Sequence, residues 1–161
     1  MAEMFLKLDG VKGESLDDVH AEEIEIKSWS WGADCVVKWD MNQGGQSTKA
    51  NIHVINLDKI CDKASVMLYQ CCITGKHIAS ATITCRKNDG AQKIEYLVVD
   101  LKDVMVSKVD WKGEGSEQSL GETVELSFAE FNIKYALQQD SGSAPGVNHF
   151  GFDIQRQKAV A

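Results

Sequence analysis

The chain has 161 residues, 43% of them hydrophobic and 25% charged, the composition of one globular domain, 1–161, with material for its own core and none of the bias of a disordered chain. A formal net charge of −7 excludes a surface built to track phosphate, so nucleic acid is not an expected partner. No stretch approaches the roughly 20 apolar residues of a membrane span, and Glu3 stands where a secretory leader carries positive charge, so neither membrane insertion nor a cleaved leader is expected.

In chain order, the first expected strand runs from Met4 to Leu8. The second, Glu22 to Trp31, has Ile24 and Ile26 in one phase and Trp29 and Trp31 in the other. Side chains alternate with period two, so the apolar face changes sides between Lys27 and Ser28. Cys35 to Trp39 reads as a short strand and NQGGQS, Asn42 to Ser47, as a mobile connecting loop, followed by a strand from Ala50 to Leu57. Asp62 to Gly75 reads as one amphipathic helix of about three turns, with Asp62 as N-cap, Ala64, Leu68, Cys71 and Cys72 at helical spacing and Gly75 as the stop.

Strands then run from Ile78 to Lys87, Lys93 to Trp111, Thr123 to Leu137 and Phe150 to Gln155. The third-last is apolar in both phases, with Leu97, Val99, Leu101, Met105, Val109 and Trp111 against Ile94, Tyr96, Val98, Val104 and Val106, which predicts an outer face covered by a partner. A second phase slip falls at Ala129 and Glu130, between Phe128 and Phe131. Two slips in the best strand candidates point to bent barrel strands or to faces shared between partners.

Catalytic and metal signatures fail on inspection. Asp17, Asp18, His20, Glu22 and Glu23 lack calcium-loop spacing and read as a solvated turn. Cys61, Cys71, Cys72 and His77 lack paired zinc-ligand spacing and read as buried small hydrophobes. Thr74, Gly75 and Lys76 imitate the end of a phosphate loop, but Gln70 occupies the place of its first glycine. The five cysteines, with no Cys-x-x-Cys pair, read as reduced thiols without an assigned role.

The ordered motifs FLKLDGVKGES at Phe5 to Ser15, Asp17, Asp18 and His20 leading through EIEI to SWSWG at Gly32, DKAS at Asp62 to Ser65, TGKHI at Thr74 to Ile78, and ETVELSFAEFNIKY at Glu122 to Tyr135 closely resemble the Hcp family. EYL at Glu95 to Leu97 and VMVS at Val104 to Ser107 extend the match over nearly the whole chain. The resemblance implies an all-β fold: a compact barrel of two antiparallel sheets with one short flanking helix near residues 62–73, akin to phage tail-tube proteins. It implies a homo-hexameric ring that stacks into the tube of a type VI secretion system, inside a contractile sheath, beneath a VgrG-type spike, with small effector proteins in the ring lumen. It implies no cofactor and no enzymatic activity, and a chain that is cytoplasmic before assembly and then secreted.

Carried onto this sequence, the resemblance makes Gly32 to Lys49 a loop that reaches an adjacent subunit or ring, through Cys35, Val36, Val37, Trp39, Gly44 and Gly45. It turns Trp29 and Trp31 inward and leaves Ser30, with Ser28 beside it, on the lumen wall. Read from the residues alone, strands apolar in both phases leave a second possibility open, a monomeric β-barrel that binds a small apolar ligand.

Overall fold

The two phase slips are explained by which neighbours each strand takes. In the computed structural model, which describes residues 2–90, 92–136 and 146–160, the chain forms β1 (Ala2–Leu8), β2 (Ile24–Glu25), β3 (Ser28–Ser30), β4 (Ala33–Asp34), β5 (Val37–Asp40), β6 (Gly44–Ser47), β7 (Asn51–Ile52) and β8 (Ile55–Ile60). These precede α1 (Ala64–Thr74), β9 (His77–Asp89), β10 (Gln92–Lys112), β11 (Gly121–Ala136), β12 (Val147–Asp153) and β13 (Lys158–Val160). Leu137, the expected end of the β11 strand, lies outside the described residues.

The predicted Glu22 to Trp31 strand is two strands with different partners. β2 pairs with β1, Leu6 opposite Ile24, and β3 pairs with β8, Trp29 opposite Leu57. The exchange takes one residue: the Ile26 N–H still donates to Met4 O on β1 at 3.0 Å, and the Lys27 N–H already donates to Asp58 O on β8 at 2.8 Å. β11 repeats the device. It pairs with β8 over Gly121–Leu126 and with β12 over Glu130–Ala136, so its slip falls where the neighbour changes. With β9 between β1 and β10, and β10 beside β11, the ladder returns to its start through β8. The link from β2 to β3 is the covalent chain at Ile26 and Lys27, whose N–H groups bond to β1 and β8 in turn.

A crease across β9, β10 and β11 divides the barrel into its two sheets. The buried apolar residues run Ile78 then Ala81, Ile83 and Cys85 in β9, Val99 and Leu101 then Val104 and Val106 in β10, and Val124 and Leu126 then Phe131 in β11. Ala81, Leu101 and Phe131 share one cross-strand row, and Ile78, Val104 and Phe128 another. Between the rows, none of Ala79, Ser80, Lys102, Asp103, Ala129 and Glu130 is buried, and Asp103 sits at φ +51°. Strict alternation would expose one half of each strand, so an added outward residue keeps both halves facing the same core. The bend accounts for part of the two-phase pattern of β10: Leu101 and Val104 belong to one core despite their opposite phases. Strands that switch sheets at such a corner are how crossed sheets enclose a single core.

α1 packs against β10 and closes the core with Ala64, Leu68 and Cys71. Its start is fixed reciprocally. Asp62 Oδ1 accepts the Ala64 N–H at 3.0 Å and Ser65 Oγ accepts the Asp62 N–H at 2.9 Å, a capping arrangement that satisfies orphan donors at the first turn. Gly75, at φ +63°, ends it in the left-handed conformation that costs other residues a Cβ clash. The helix is not amphipathic as predicted, because Val66, Tyr69 and Ile73 on its outer side are apolar and exposed.

Candidate functional site

The expected loop from Gly32 to Lys49 is a ribbon. β4 pairs with β7, Ala33 opposite Ile52, and beyond them β5 pairs with β6, Val37 opposite Ser47 and Asp40 opposite Gly44. NQGGQS is therefore no unstructured connection: Gly44, at φ +77°, leaves the turn and starts β6, as a glycine does after a three-residue hairpin loop. Gly45 lies opposite Trp39, and a Cβ there would come within 2.7 Å of the indole ring, so the ring lies over bare backbone. Cys35, Val36, Val37, Trp39, Gly44 and Gly45 are all exposed. At the ribbon's base His53 Nε2 lies 2.6 Å from Asp34 Oδ2, and Trp31 Nε1 donates to His53 O at 3.0 Å.

Ser28 and Ser30 lie on the outward face of the β3–β8–β11 sheet. Ser28 Oγ donates to Asp58 Oδ2 at 3.0 Å, and Thr123 Oγ1 donates to Asp58 Oδ1 at 2.9 Å. Trp29 and Trp31 pack against the core from the other face, and the Trp31 ring meets Phe131 edge-on at 4.9 Å and Phe128 at 5.6 Å. The structure thus separates the two groups of predicted residues, serines on the barrel wall and apolar residues on the ribbon.

The Asp17–Glu23 cluster is not a solvated turn. It straps the outward face of the other sheet. Buried Phe5 stacks on His20, ring centroids 4.4 Å apart. His20 Nδ1 lies 2.9 Å from Glu23 Oε2 and its Nε2 3.0 Å from Glu95 Oε1. Buried Arg86 donates to Glu3 at 2.6 Å and to Asp17 at 2.5 Å from one Nη2. That guanidinium holds the Asp17 carboxyl well below the usual carboxylate range, and Asp17 in turn raises Arg86. The charges of the strap pair with groups on β9 and β10 and hold it to the sheet.

A second buried network was missed from sequence. Lys59 Nζ, with three N–H groups to share, lies 2.9 Å from Ile60 O, 3.0 Å from Asp62 Oδ1, 3.2 Å from Ser65 Oγ and 2.9 Å from Glu122 Oε2, while Ser65 Oγ donates to Glu122 Oε2. Lys59 and Glu122 face each other directly across β8 and β11. The available signal was a lysine in phase with Ile55 and Leu57 and a glutamate in phase with Val124 and Leu126, opposite charges on two core faces. Burial raises the nearby Cys61 thiol, with the Glu122 carboxylate adding to it, and burial alone raises Cys85. Raised thiols are poor nucleophiles. Among the described residues no three of His, Cys, Asp and Glu converge as metal ligands.

These features define a mostly β protein with one short helix, a filled core, a charged strap and a projecting ribbon. Residues 5–135 match the family described as type VI secretion system effector, Hcp. Protein hcp1 of Pseudomonas aeruginosa is 40% identical over 155 residues, covering 96% of each chain. Hcp1 from Salmonella typhimurium superimposes with a TM-score of 0.79 at 32% identity over 99% of both chains, and a solved type six secretion system protein with a TM-score of 0.91 at 27% identity over 99% of this chain and 100% of that one. The chain belongs to the Hcp family: it is a secreted tube protein of type VI secretion. No helix among the described residues is long and apolar enough to cross a membrane.

Proposed function

We propose that this chain forms hexameric rings that stack into the secretion tube, carry small effector proteins in the lumen, and meet a VgrG-type spike at the tip and a contractile sheath outside. The observation that carries the proposal is the ribbon, which holds its apolar residues away from the core of the described residues. A subunit in a closed ring uses different surfaces against its two neighbours, and stacking adds two more, so exposed apolar elements on separate sides are what such a subunit needs. Cys35, Val36, Val37, Trp39, Gly44 and Gly45 serve these contacts between copies. Ser28 and Ser30 face the lumen, where short hydroxyls leave room for cargo. The chain waits in the cytoplasm before assembly and leaves through its own machine, without cofactor or catalysis.

Replacing Ser30 with Gln puts a longer side chain on the lumen wall without touching the core. The Ser30→Gln ring should assemble normally and lose co-purifying effector; undiminished retention contradicts the lumen assignment. Leu6, Ile24, Ile55, Leu57, Ile83, Val99, Leu101 and Leu126 are buried together in one core, which favours an interior packed with protein over one that holds an apolar ligand.

A further inference from the structure

Among the described residues, the ribbon and the helix each present an exposed apolar face. Along β5, Val37 and Trp39 share one side and Lys38 and Asp40 take the other, and Met41 follows at the start of the hairpin turn; Trp39 is 81% and Met41 103% exposed. Apolar and polar residues alternate in this way when one face of a ribbon is packed and the other wet, and a lone two-stranded ribbon is marginal in water. On α1, Val66, Tyr69 and Ile73 form an outward stripe at i, i+3 and i+7, with Val66 70% and Ile73 73% exposed. The Tyr69 ring leans on Trp111, centroids 4.9 Å apart, and extends the stripe onto β10.

We propose that the Val37–Trp39 face of one copy, with Met41 at its end, seats on the Val66–Tyr69–Ile73 stripe and Trp111 of a neighbouring copy. The inference rests on the tube-subunit reading and names the receiving surface for its ribbon. Donor and receiver occupy different places on one chain, so the contact is heterologous and passes from copy to copy. The side chains involved expose on the order of 1,000 Å² of surface in total, the lower bound of a specific interface. One such contact is weak; repeated between rings of subunits it becomes strong through effective concentration. The area therefore matches a subunit whose pairwise affinity is low and whose assembly is cooperative.

The test places benzoylphenylalanine at position 39 of an unlabelled chain, co-assembles it with an excess of ¹⁵N-labelled chain, irradiates, and maps the adducts by mass spectrometry. Adducts between labelled and unlabelled chains at residues 64–74 or 111 support the contact. Adducts only within one chain, adducts at another surface including that of added sheath or effector, or no adducts overturn it. In parallel, Trp39→Asp and Ile73→Lys should each raise the concentration needed for assembly about tenfold or more, and the two together should recover part of the loss by opposite charge. Assembly of Ile73→Lys at wild-type concentration overturns the contact. If the unsubstituted chain forms rings but position 39 maps elsewhere, this contact alone fails; if it forms no rings, the tube-subunit reading fails with it.

Discussion

Lys59→Met should be among the most damaging single substitutions in the chain. Methionine matches the lysine stem in volume and removes the ammonium, so the change isolates the charge. Lys59 and Glu122 are both fully enclosed, and the ammonium makes four contacts within 3.2 Å. Without it, Glu122 keeps only the Ser65 hydroxyl, and its second oxygen, Oε1, already lacks a partner. Breaking a buried pair from one side costs about 3–5 kcal/mol, because the remaining charge is buried without compensation. At about 2–4 °C per kcal/mol for a domain of this size, Tm should fall by roughly 6–20 °C. The double variant Lys59→Met/Glu122→Leu removes both charges and should recover most of the loss, since apolar replacements of buried pairs are often neutral. Urea unfolding followed by tryptophan fluorescence, at one fixed protein concentration because assembly adds stability, measures both. A single-variant loss below about 1 kcal/mol, or a double variant no better than the single, would refute the reasoning.

Asp17, held below its usual range by Arg86, contributes stability that is complete above the unfolded carboxyl value of about 4 and is lost as the pH falls below it. Asp17→Asn should therefore lower stability at neutral pH and flatten the acid limb of the stability profile; an unchanged acid limb contradicts the Arg86 clamp. Thiol labelling read by mass spectrometry should modify exposed Cys35 first and reach buried Cys71 and Cys85 only on unfolding; early labelling of Cys85 would contradict its place in the core. Gly13→Ala should cost about 1–3 kcal/mol, because its Cβ would collide with the Glu23 carbonyl in the strap. Gly75→Ala should cost about 1–2 kcal/mol for the left-handed stop of α1; equal stability at either position, measured by urea unfolding, would show that the backbone adapts.

Strand identity was legible because β-branched residues alternate along nearly every element, and the slips at Ser28 and Ala129 marked true events. Their cause was not legible, since it depends on which strand lies alongside. Without register, Leu101 and Val104 looked like opposite faces of β10, when Asp103 at φ +51° turns both toward one core. The division of Glu22 to Trp31 into β2 and β3 escaped for the same reason. The ribbon hid behind glycine: Gly44 and Gly45 carry no strand signal of their own, and only pairing with Asp40 and Trp39 orders them. Asp62 and Gly75 were readable because helix ends are decided locally. Arg86 and the Lys59–Glu122 pair were not, because they join residues 63 or more positions apart. The predicted roles of Ser28, Ser30 and the ribbon residues concern other molecules and rest on the assembly.

Negative-stain electron microscopy of the purified chain, with two-dimensional class averages, tests the assembly most directly. The account predicts annular particles with six-fold symmetry and an open centre. A uniform population of small featureless monomers, persisting at high protein concentration, would contradict it.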